Sequence, residues 1–306
     1  MTLDKHPSKL MKILKSKYTW LGTSVCVLIG LTAFVYIDAY SGNKFRTMQD
    51  KIANAEGVDM RGLEKLHISG GNVPRYPALQ WNLRNVNMNK IVVNAETRNI
   101  KYVKGLPMTL LGYSSETPLF RHYLRRLLIT GSLGVRPELI HTEAKEANNY
   151  GFEYKNVVIG SKFTASDDKL EEIVNFFDKL PEDTWLHFHC AHGSGRTSMM
   201  IVMLDIMKNA PQVSVKDIVQ RQYLLGGVDL FDTVVWKHGH YTQAMLDNRK
   251  KFIEDFYAFI CQRKEGGIQS WTEWNQLQKQ KEAPVMPVKE EAPSDQSPAE
   301  KGLKDS

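Results

Sequence analysis

The chain has 306 residues, of which 42% are hydrophobic and 24% charged, and a net charge of +6. That mixture is long and apolar enough for one large domain with a proper core, and it excludes an intrinsically disordered chain. It does not make a nucleic-acid binder. Residues 1–17 carry five lysines against Asp4, residues 277–306 carry five lysines against six acids, and no basic helix or aromatic-interleaved basic stripe lies between them.

After the lysine-rich segment 1–17, Tyr18 to Ile37 are 20 residues without a charge, enough to cross a bilayer as a helix. Residues 18–37 read as an uncleaved membrane anchor. A signal segment cut after Ser41, where Ala39 and Ser41 supply small residues, and a buried helix are the alternatives. Either membrane reading keeps the lysines inside and the following domain, 42–278, outside the cytoplasm; cleavage would release it as a secreted protein.

Gly42 to Val86 reads as a linker followed by irregular structure. Lys90 to Asn94 predicts a strand, and Pro118 to Ile129 a helix opened by Thr117 with Pro118 in its first turn. Glu138 to His141 and Tyr154 to Ile159 predict further strands. Asp167 to Leu180 predicts a helix capped by Ser166, with Leu170, Ile173, Val174 and Phe177 on one face. Trp185 to His189 is a short buried strand, and Thr197 to Asn209 a helix carrying Met200, Ile201, Leu204 and Met207 at helical spacing. Helices over Val215 to Leu224, capped by Ser214, and over Thr242 to Lys264 follow. From Lys279 onward Pro, Glu, Lys and Ser dominate, so 279–306 is expected to be a disordered tail. Alternating strands and helices give an α/β domain with a central sheet.

Between the last buried strand and its helix lies HCAHGSGRT, from His189 to Thr197. Five residues, two of them glycines, separate Cys190 from Arg196. A strand, a glycine-bearing loop and a helix start aim backbone N–H groups and a helix dipole at one spot. The loop Ala191, His192, Gly193, Ser194, Gly195 and Arg196 would then bind phosphate, with Gly193 and Gly195 taking positive φ and Arg196 gripping two oxygens. Cys190, its pKa lowered by those groups, would be a thiolate able to attack phosphorus. Thr197 could hydrogen-bond the sulfur and ease its departure. The plainer reading is a buried structural cysteine beside a helix cap. Cys26 lies in the apolar span and Cys261 in the core of a helix, so no disulfide framework is expected.

HCAHGSGRT resembles the signature loop of the protein-tyrosine-phosphatase superfamily. Its flanks, Leu180 to Cys190 and Arg221 to Leu230, resemble the bacterial PTP-like phytases, which dephosphorylate inositol phosphates. Phe45-Arg46-Thr47, Gly62-Leu63 with Ile68-Ser69-Gly70, Gly105 with Pro107, and Trp271 with Trp274 fit as well. The resemblance covers roughly Lys44 to Gln278. It implies a PTP-like α/β fold, an inositol phosphate or phosphoprotein substrate, a phosphocysteine intermediate, and neither cofactor nor metal. It also implies that Gln222 positions the hydrolytic water, whereas an ordinary exposed helix residue would look the same. His189 is expected to hydrogen-bond the catalytic loop.

Two departures stand out. Ser161 falls where relatives carry the general-acid aspartate, and a serine hydroxyl is too weak an acid for that work. Asp167 and Asp168 lie close by and are candidates if the loop rearranges, although their plain reading is charge in a helix's first turn. His192 is the third candidate donor. The second departure is Glu96, where the family tends to have Arg, with Arg98 where it has Glu; the swap keeps a salt bridge within reach. Lys101 and Lys104 could meet phosphates, or be solvated loop charges. His187 with His189, and His238 with His240, lack a carboxylate or thiol at metal-ligand spacing. Two functions follow: a cysteine phosphomonoesterase, or a membrane-tethered pseudo-phosphatase that binds a phosphorylated partner.

Overall fold

The computed structural model describes residues 17–41, 44–53, 55–160, 165–237 and 241–282. Most of the basic start, Ser161 and Lys162, the His238–His240 pair and residues 283–306 of the expected tail lie outside these. The first element, helix α1 (Lys17–Tyr40), leaves most of its apolar side chains exposed, Leu28, Ile29, Phe34 and Ile37 among them. It is one helix long and apolar enough to cross a membrane, by length and composition. Its last turns behave differently: Val35 and Ala39 are buried, and Ala39 packs with Val103, Leu106, Leu111 and Ile129.

The central sheet has five strands in the order β1-β2-β8-β3-β7. These are β1 (Arg46–Thr47), β2 (Ile68–Asn72), β3 (Asn89–Asn94), β7 (Glu153–Asn156) and β8 (Thr184–Cys190). All neighbours are parallel except β1, which runs antiparallel to β2. Strand β8 sits in the middle, paired from Ile68↔Leu186 to Asn72↔Cys190 on one side and from Asn89↔Thr184 to Asn94↔His189 on the other. All seven of its residues are buried, as a central parallel strand covered on both faces requires. A small antiparallel sheet, β5-β4-β6, is formed by β4 (Lys101–Val103), β5 (Leu106–Pro107) and β6 (Ile140–Thr142).

Helices cover the sheet: α2 (Tyr76–Asn82), α3 (Phe120–Thr130), α4 (Glu143–Asn149), α5 (Asp167–Asp178), α6 (Gly195–Asn209), α7 (Val215–Leu224), α8 (Gln243–Lys264) and α9 (Trp271–Glu282). The expected caps Ser166 and Ser214 are in place, and Thr242, expected as the first helical residue, caps a third helix. Ser166, Ser214 and Thr242 accept from the backbone N–H of Lys169, Asp217 and Met245. Each such cap satisfies a donor that helix geometry leaves orphaned and is worth about 1 kcal/mol. The main core lies between α6 and its neighbours, with Phe188, Phe177, Phe256 and Phe259 fully buried among Met200, Ile201 and Ile253.

Several boundaries differ from expectation. The stretch 42–86 holds β1, β2 and α2 rather than irregular structure. Strand β2 reads ISGGN because α6 lies almost against it: a Cβ on Gly70 would sit 2.7 Å from Ile201 Cδ1 and 2.9 Å from Thr197 Cγ2. Helix α3 starts at Phe120, not Pro118, since the backbone N–H of Leu119 donates to His122 Nδ1 (3.0 Å) and sets the first turn there. Residues Pro137–Leu139 make a 3-10 turn ahead of β6, because the proline opens a turn that Arg136 and Glu138 close with an ion pair of 2.7 Å. The strand expected to reach Ile159 ends at Asn156, although Val157 and Ile159 stay buried in the core. The expected tail begins inside α9, whose Lys279 pairs with Asp167.

Candidate active site

Strand β8 carries Cys190 to the C-terminal edge of the sheet, the loop 191–194 turns there, and α6 opens at Gly195. Cys190 is buried, and Thr197 Oγ1 lies 3.2 Å from its Sγ. Burial alone would push the thiol up. The Thr197 hydroxyl and the backbone N–H groups of Thr197, His192 and Gly193 more than offset this, so its pKa falls below that of a free thiol. Gly193 holds φ at +69°, and a Cβ there would stand 2.5 Å from the backbone of Gly71 and Asn72, so only glycine fits. Gly195, expected to share that conformation, instead takes the first helical position of α6.

Arg196 points at Glu96 at the end of β3. Its Nη1 and Nη2 donate to the two Glu96 oxygens at 3.0 and 2.9 Å, and Nη1 also donates to Ala95 O at 3.4 Å. These bonds take three of the five guanidinium N–H donors; Nε–H and the second Nη2–H, on one edge of the fork, carry none of them. Glu96 also pairs with Arg98 at 3.2 Å. Its burial would raise its pKa, but Arg196 and Arg98 hold it at about 2. The acid–base swap therefore does keep an ion pair, and it ties the loop arginine into it. Arg46 of β1 braces the loop from the other side, donating to Gly193 O at 2.8 Å and Ser198 Oγ at 3.2 Å from a buried position. In the sequence Arg46 stands out only as part of the Phe45-Arg46-Thr47 triplet, because a buried arginine in a two-residue strand has no periodic signal.

Beside the loop opens a cavity of about 670 Å³, walled by Ala191 and His192 together with Arg75, Arg98, Lys101 and Met108. Cations thus ring one flank of the 191–194 loop, and His192 is exposed at its rim. Lys44 reaches Ser194 Oγ at 3.5 Å. Of the two lysines expected near phosphates, Lys101 lines this cavity. Lys104 does not: it takes φ +50° and its ammonium donates to Ile129 O at 2.7 Å.

Other expected residues lie elsewhere. His189 turns away from the loop, its Nε2 3.1 Å from Glu143 Oε1, and both rings of the His187–His189 pair are buried. Gln222 is buried, not exposed, and its amide donates to Asp205 Oδ2 (3.0 Å) and Met48 Sδ (3.2 Å); it belongs to the Asp205–Arg221 network. Asp167 accepts from Trp271 Nε1 (3.1 Å), Asn275 Nδ2 (2.7 Å) and Lys279 Nζ (3.0 Å). Against the opposing effect of burial, those partners lower its pKa, so it is a fixed carboxylate aimed at α9 and a poor proton donor. Asp168 is exposed in the first turn of α5.

The comparisons agree with this geometry. A family model for PTP-like phytases, described as inositol hexakisphosphate, matches residues 135–208. The uncharacterized protein AvrBs1.1 of Xanthomonas campestris is 32% identical over 96 residues, 31% of this chain and 92% of that protein. Effector protein hopD2 of Pseudomonas syringae is 26% identical over 136 residues, 44% of this chain and 29% of that protein. Among solved structures, a PTP-like myo-inositol phosphatase from Mitsuokella multacida, in complex with myo-inositol-(1,3,4,5)-tetrakisphosphate, superposes with a TM-score of 0.64 at 23% identity. The match covers 79% of this chain and 46% of that one. A PTP-like phytase from Bdellovibrio bacteriovorus gives 0.55 at 20% identity, covering 77% and 90%. The chain spans about half the length of the Mitsuokella proteins it matches.

Proposed function

The chain belongs to the PTP-like phytase family, and from that premise we propose that it is a cysteine-dependent phosphomonoesterase acting on inositol phosphates. The observation that carries the reading is the convergence of Thr197 Oγ1 and three backbone N–H groups on Cys190 Sγ, with the Arg196 guanidinium on the same loop. Donors arranged in that way stabilise a thiolate and, equally, the oxygens of a phosphate placed above it.

The Cys190 thiolate attacks phosphorus, an S–P bond forms, and the ester P–O bond breaks with its electrons going to the departing oxygen. The Nε edge of Arg196 and the loop amides bind the equatorial oxygens. His192, at the cavity rim, gives the departing oxygen its proton. Water then attacks phosphorus and passes a proton back to His192, the S–P bond breaks with its electrons returning to sulfur, inorganic phosphate leaves, and Thr197 stabilises the returning thiolate. Arg75, Arg98 and Lys101 bind phosphates that are not being cleaved, which suits a substrate with several. At about 670 Å³ the cavity lies in the usual range for a ligand of that size.

Helix α1 serves as an uncleaved anchor, with the lysines of residues 1–17 on the cytoplasmic side and the phosphatase domain on the other. Support comes from its last turns. Cleavage after Ser41 would strip Ala39 from its cluster and Asp38 from the buried Arg125.

Phosphate release from a panel of inositol phosphates and phosphopeptides, by the full chain in detergent, tests the proposal. Release from inositol phosphates is expected, and Cys190→Ser should abolish it while phosphate binding persists. Wild-type release no faster than that of Cys190→Ser would mean a domain that binds phosphate without turning it over.

A further inference from the structure

Helix α3 is built inside out. Two of its three arginines face the protein: Arg125 and Arg126 are buried, donating to Leu110 O at 3.0 Å and Leu111 O at 2.8 Å, while Arg121 is exposed. Apart from the buried Ile129, its apolar side chains lie largely outward: Leu119 is 54% exposed, Phe120 76% and Leu127 50%, with Tyr123 and Leu124 on the same face at helical spacing. Leu133 and Val135, in the segment that follows, are about half exposed too. A soluble helix carries the opposite pattern, and an apolar patch of this kind marks a surface that something covers.

The neighbouring element says what covers it. Helix α1 is joined to α3 by Tyr36, whose hydroxyl donates to Leu128 O at 3.1 Å, and by the Asp38–Arg125 ion pair. A bilayer's hydrocarbon core, about 30 Å thick, takes up about 20 helical residues at about 1.5 Å each. Counted from Tyr18, the end of the chargeless run, that length ends at Ile37. Leu128 and Arg125 are therefore held at the depth where α1 leaves the hydrocarbon. Charge fits as well: the exposed cation of the helix is Arg121, and no acid lies between Glu116 and Glu138.

We propose that α3 and the Leu133–Val135 segment form an interfacial surface that lies in the headgroup layer of the bilayer that α1 spans, with Leu119, Phe120, Tyr123 and Leu127 dipping toward the acyl chains. From the preceding section this takes only that α1 is a span. An anionic leaflet suits the exposed Arg121, and the aromatic rings belong at the interface. The cavity beside Cys190 is held at the same level. Its walls include Leu110, whose carbonyl Arg125 binds, and Arg75, which donates to the carbonyls of Asp38 and Ser41.

Single spin labels on the full chain, in nanodiscs containing phosphatidylglycerol, test this. Cys26, Cys190 and Cys261 are first replaced by Ser, and a cysteine is placed at Leu28, Phe120, Leu127 or the exposed Glu254 of α8. Labels at Phe120→Cys and Leu127→Cys should be relaxed by oxygen in preference to a water-soluble nickel complex, as at Leu28→Cys, whereas Glu254→Cys should show the reverse. Labels at 120 and 127 that behave like the one at 254 overturn the proposal, as does a label at 28 that is open to water. Shielding from both reagents, with dipolar broadening, would mean that a second copy covers the face, and overturns it too. The unmodified chain provides the check on folding: a photoactivatable lipid should leave adducts on peptides covering 119–135 as well as on α1. Adducts confined to α1 would refute the surface.

Discussion

Replacing Glu96 by Gln tests whether the carboxylate at the end of β3 aims the loop arginine or competes with substrate for it. Glu96 is almost wholly buried and accepts from Arg196 twice, from Arg98, and from the backbone N–H of Thr97 at 3.0 Å. Glutamine keeps the shape and one oxygen but turns an amide NH2 toward guanidinium N–H groups, so one Arg196 bond is lost and donors face donors. A hydrogen bond between charged groups is worth about 1.5–3 kcal/mol. If that energy holds Arg196 in the orientation the transition state needs, its loss lowers kcat/KM by about 10- to 150-fold, at about 1.4 kcal/mol per tenfold. Competition predicts the opposite sign, because removing the carboxylate would free two donors and a positive charge for phosphate. The free Nε edge decides for aiming. The assay is kcat/KM on an aryl phosphate together with the inhibition constant of inorganic phosphate, for wild type, Glu96→Gln and Glu96→Ala. A Glu96→Gln enzyme that binds phosphate more tightly and turns over faster would refute the reasoning.

Glu96 also sets an acid limit. Its folded pKa of about 2 is depressed from an ordinary 4.5, so its stabilisation is complete above about pH 4.5 and fades as pH falls toward 2; in Glu96→Gln, unfolding by acid should lose that component. Thr197→Val removes the hydroxyl donor from Cys190, and the acid limb of the kcat/KM profile, which reports thiolate formation, should move to higher pH while that of wild type stays below the range of a free thiol. Asp167→Asn should lower Tm slightly, by about 1 kcal/mol of lost charge-assisted bonding, and leave the ratio of alkyl to aryl phosphate rates unchanged; a fall in that ratio would restore Asp167 as the acid. His192→Asn should cut the alkyl rate by about 10²-fold or more and spare an activated aryl phosphate, whose leaving group needs no proton. Asp205→Asn strands the fully buried Arg221, whose Nε donates to Asp205 at 2.9 Å, and should cost about 3–5 kcal/mol in denaturant unfolding.

The strand–loop–helix unit around Cys190 was legible because each part has its own local signal: a buried run in β8, a cysteine and an arginine around glycines, a periodic α6. Ser166 and Ser214 were legible for the same reason, since a cap is a contact within one turn. What the chain hides is set by long-range geometry. Strand β2 looks like a loop because its glycines answer to α6, 126 residues on, where Thr197 donates to Gly71 O. Gln222 and Asp167 both look like solvent-facing helix residues, and only the packing of Asp205 against one and α9 against the other fixes their roles. The swap at Glu96 and Arg98 could be read as a pair, but not as the grip on Arg196, which lies 100 residues away. The inverted face of α3 has ordinary amphipathic spacing; no pattern of spacing says which side of a helix meets the protein.

The last turns of helix α1 are part of the domain's core. A linker of n flexible residues would let a domain sweep about 5–6 Å × √n from its anchor. Here the first strand starts at Arg46, and the core already contains Val35 and Ala39. In a membrane such a domain keeps one height and one tilt, and it searches by sliding in two dimensions. With the proposed anchor and activity, its catalytic reach would be a thin slab parallel to the bilayer, and substrate choice would be decided by altitude as well as by pocket chemistry. A flexible insert after Ser41 would thicken that slab, trading a locked orientation for access to phosphate esters farther from the surface.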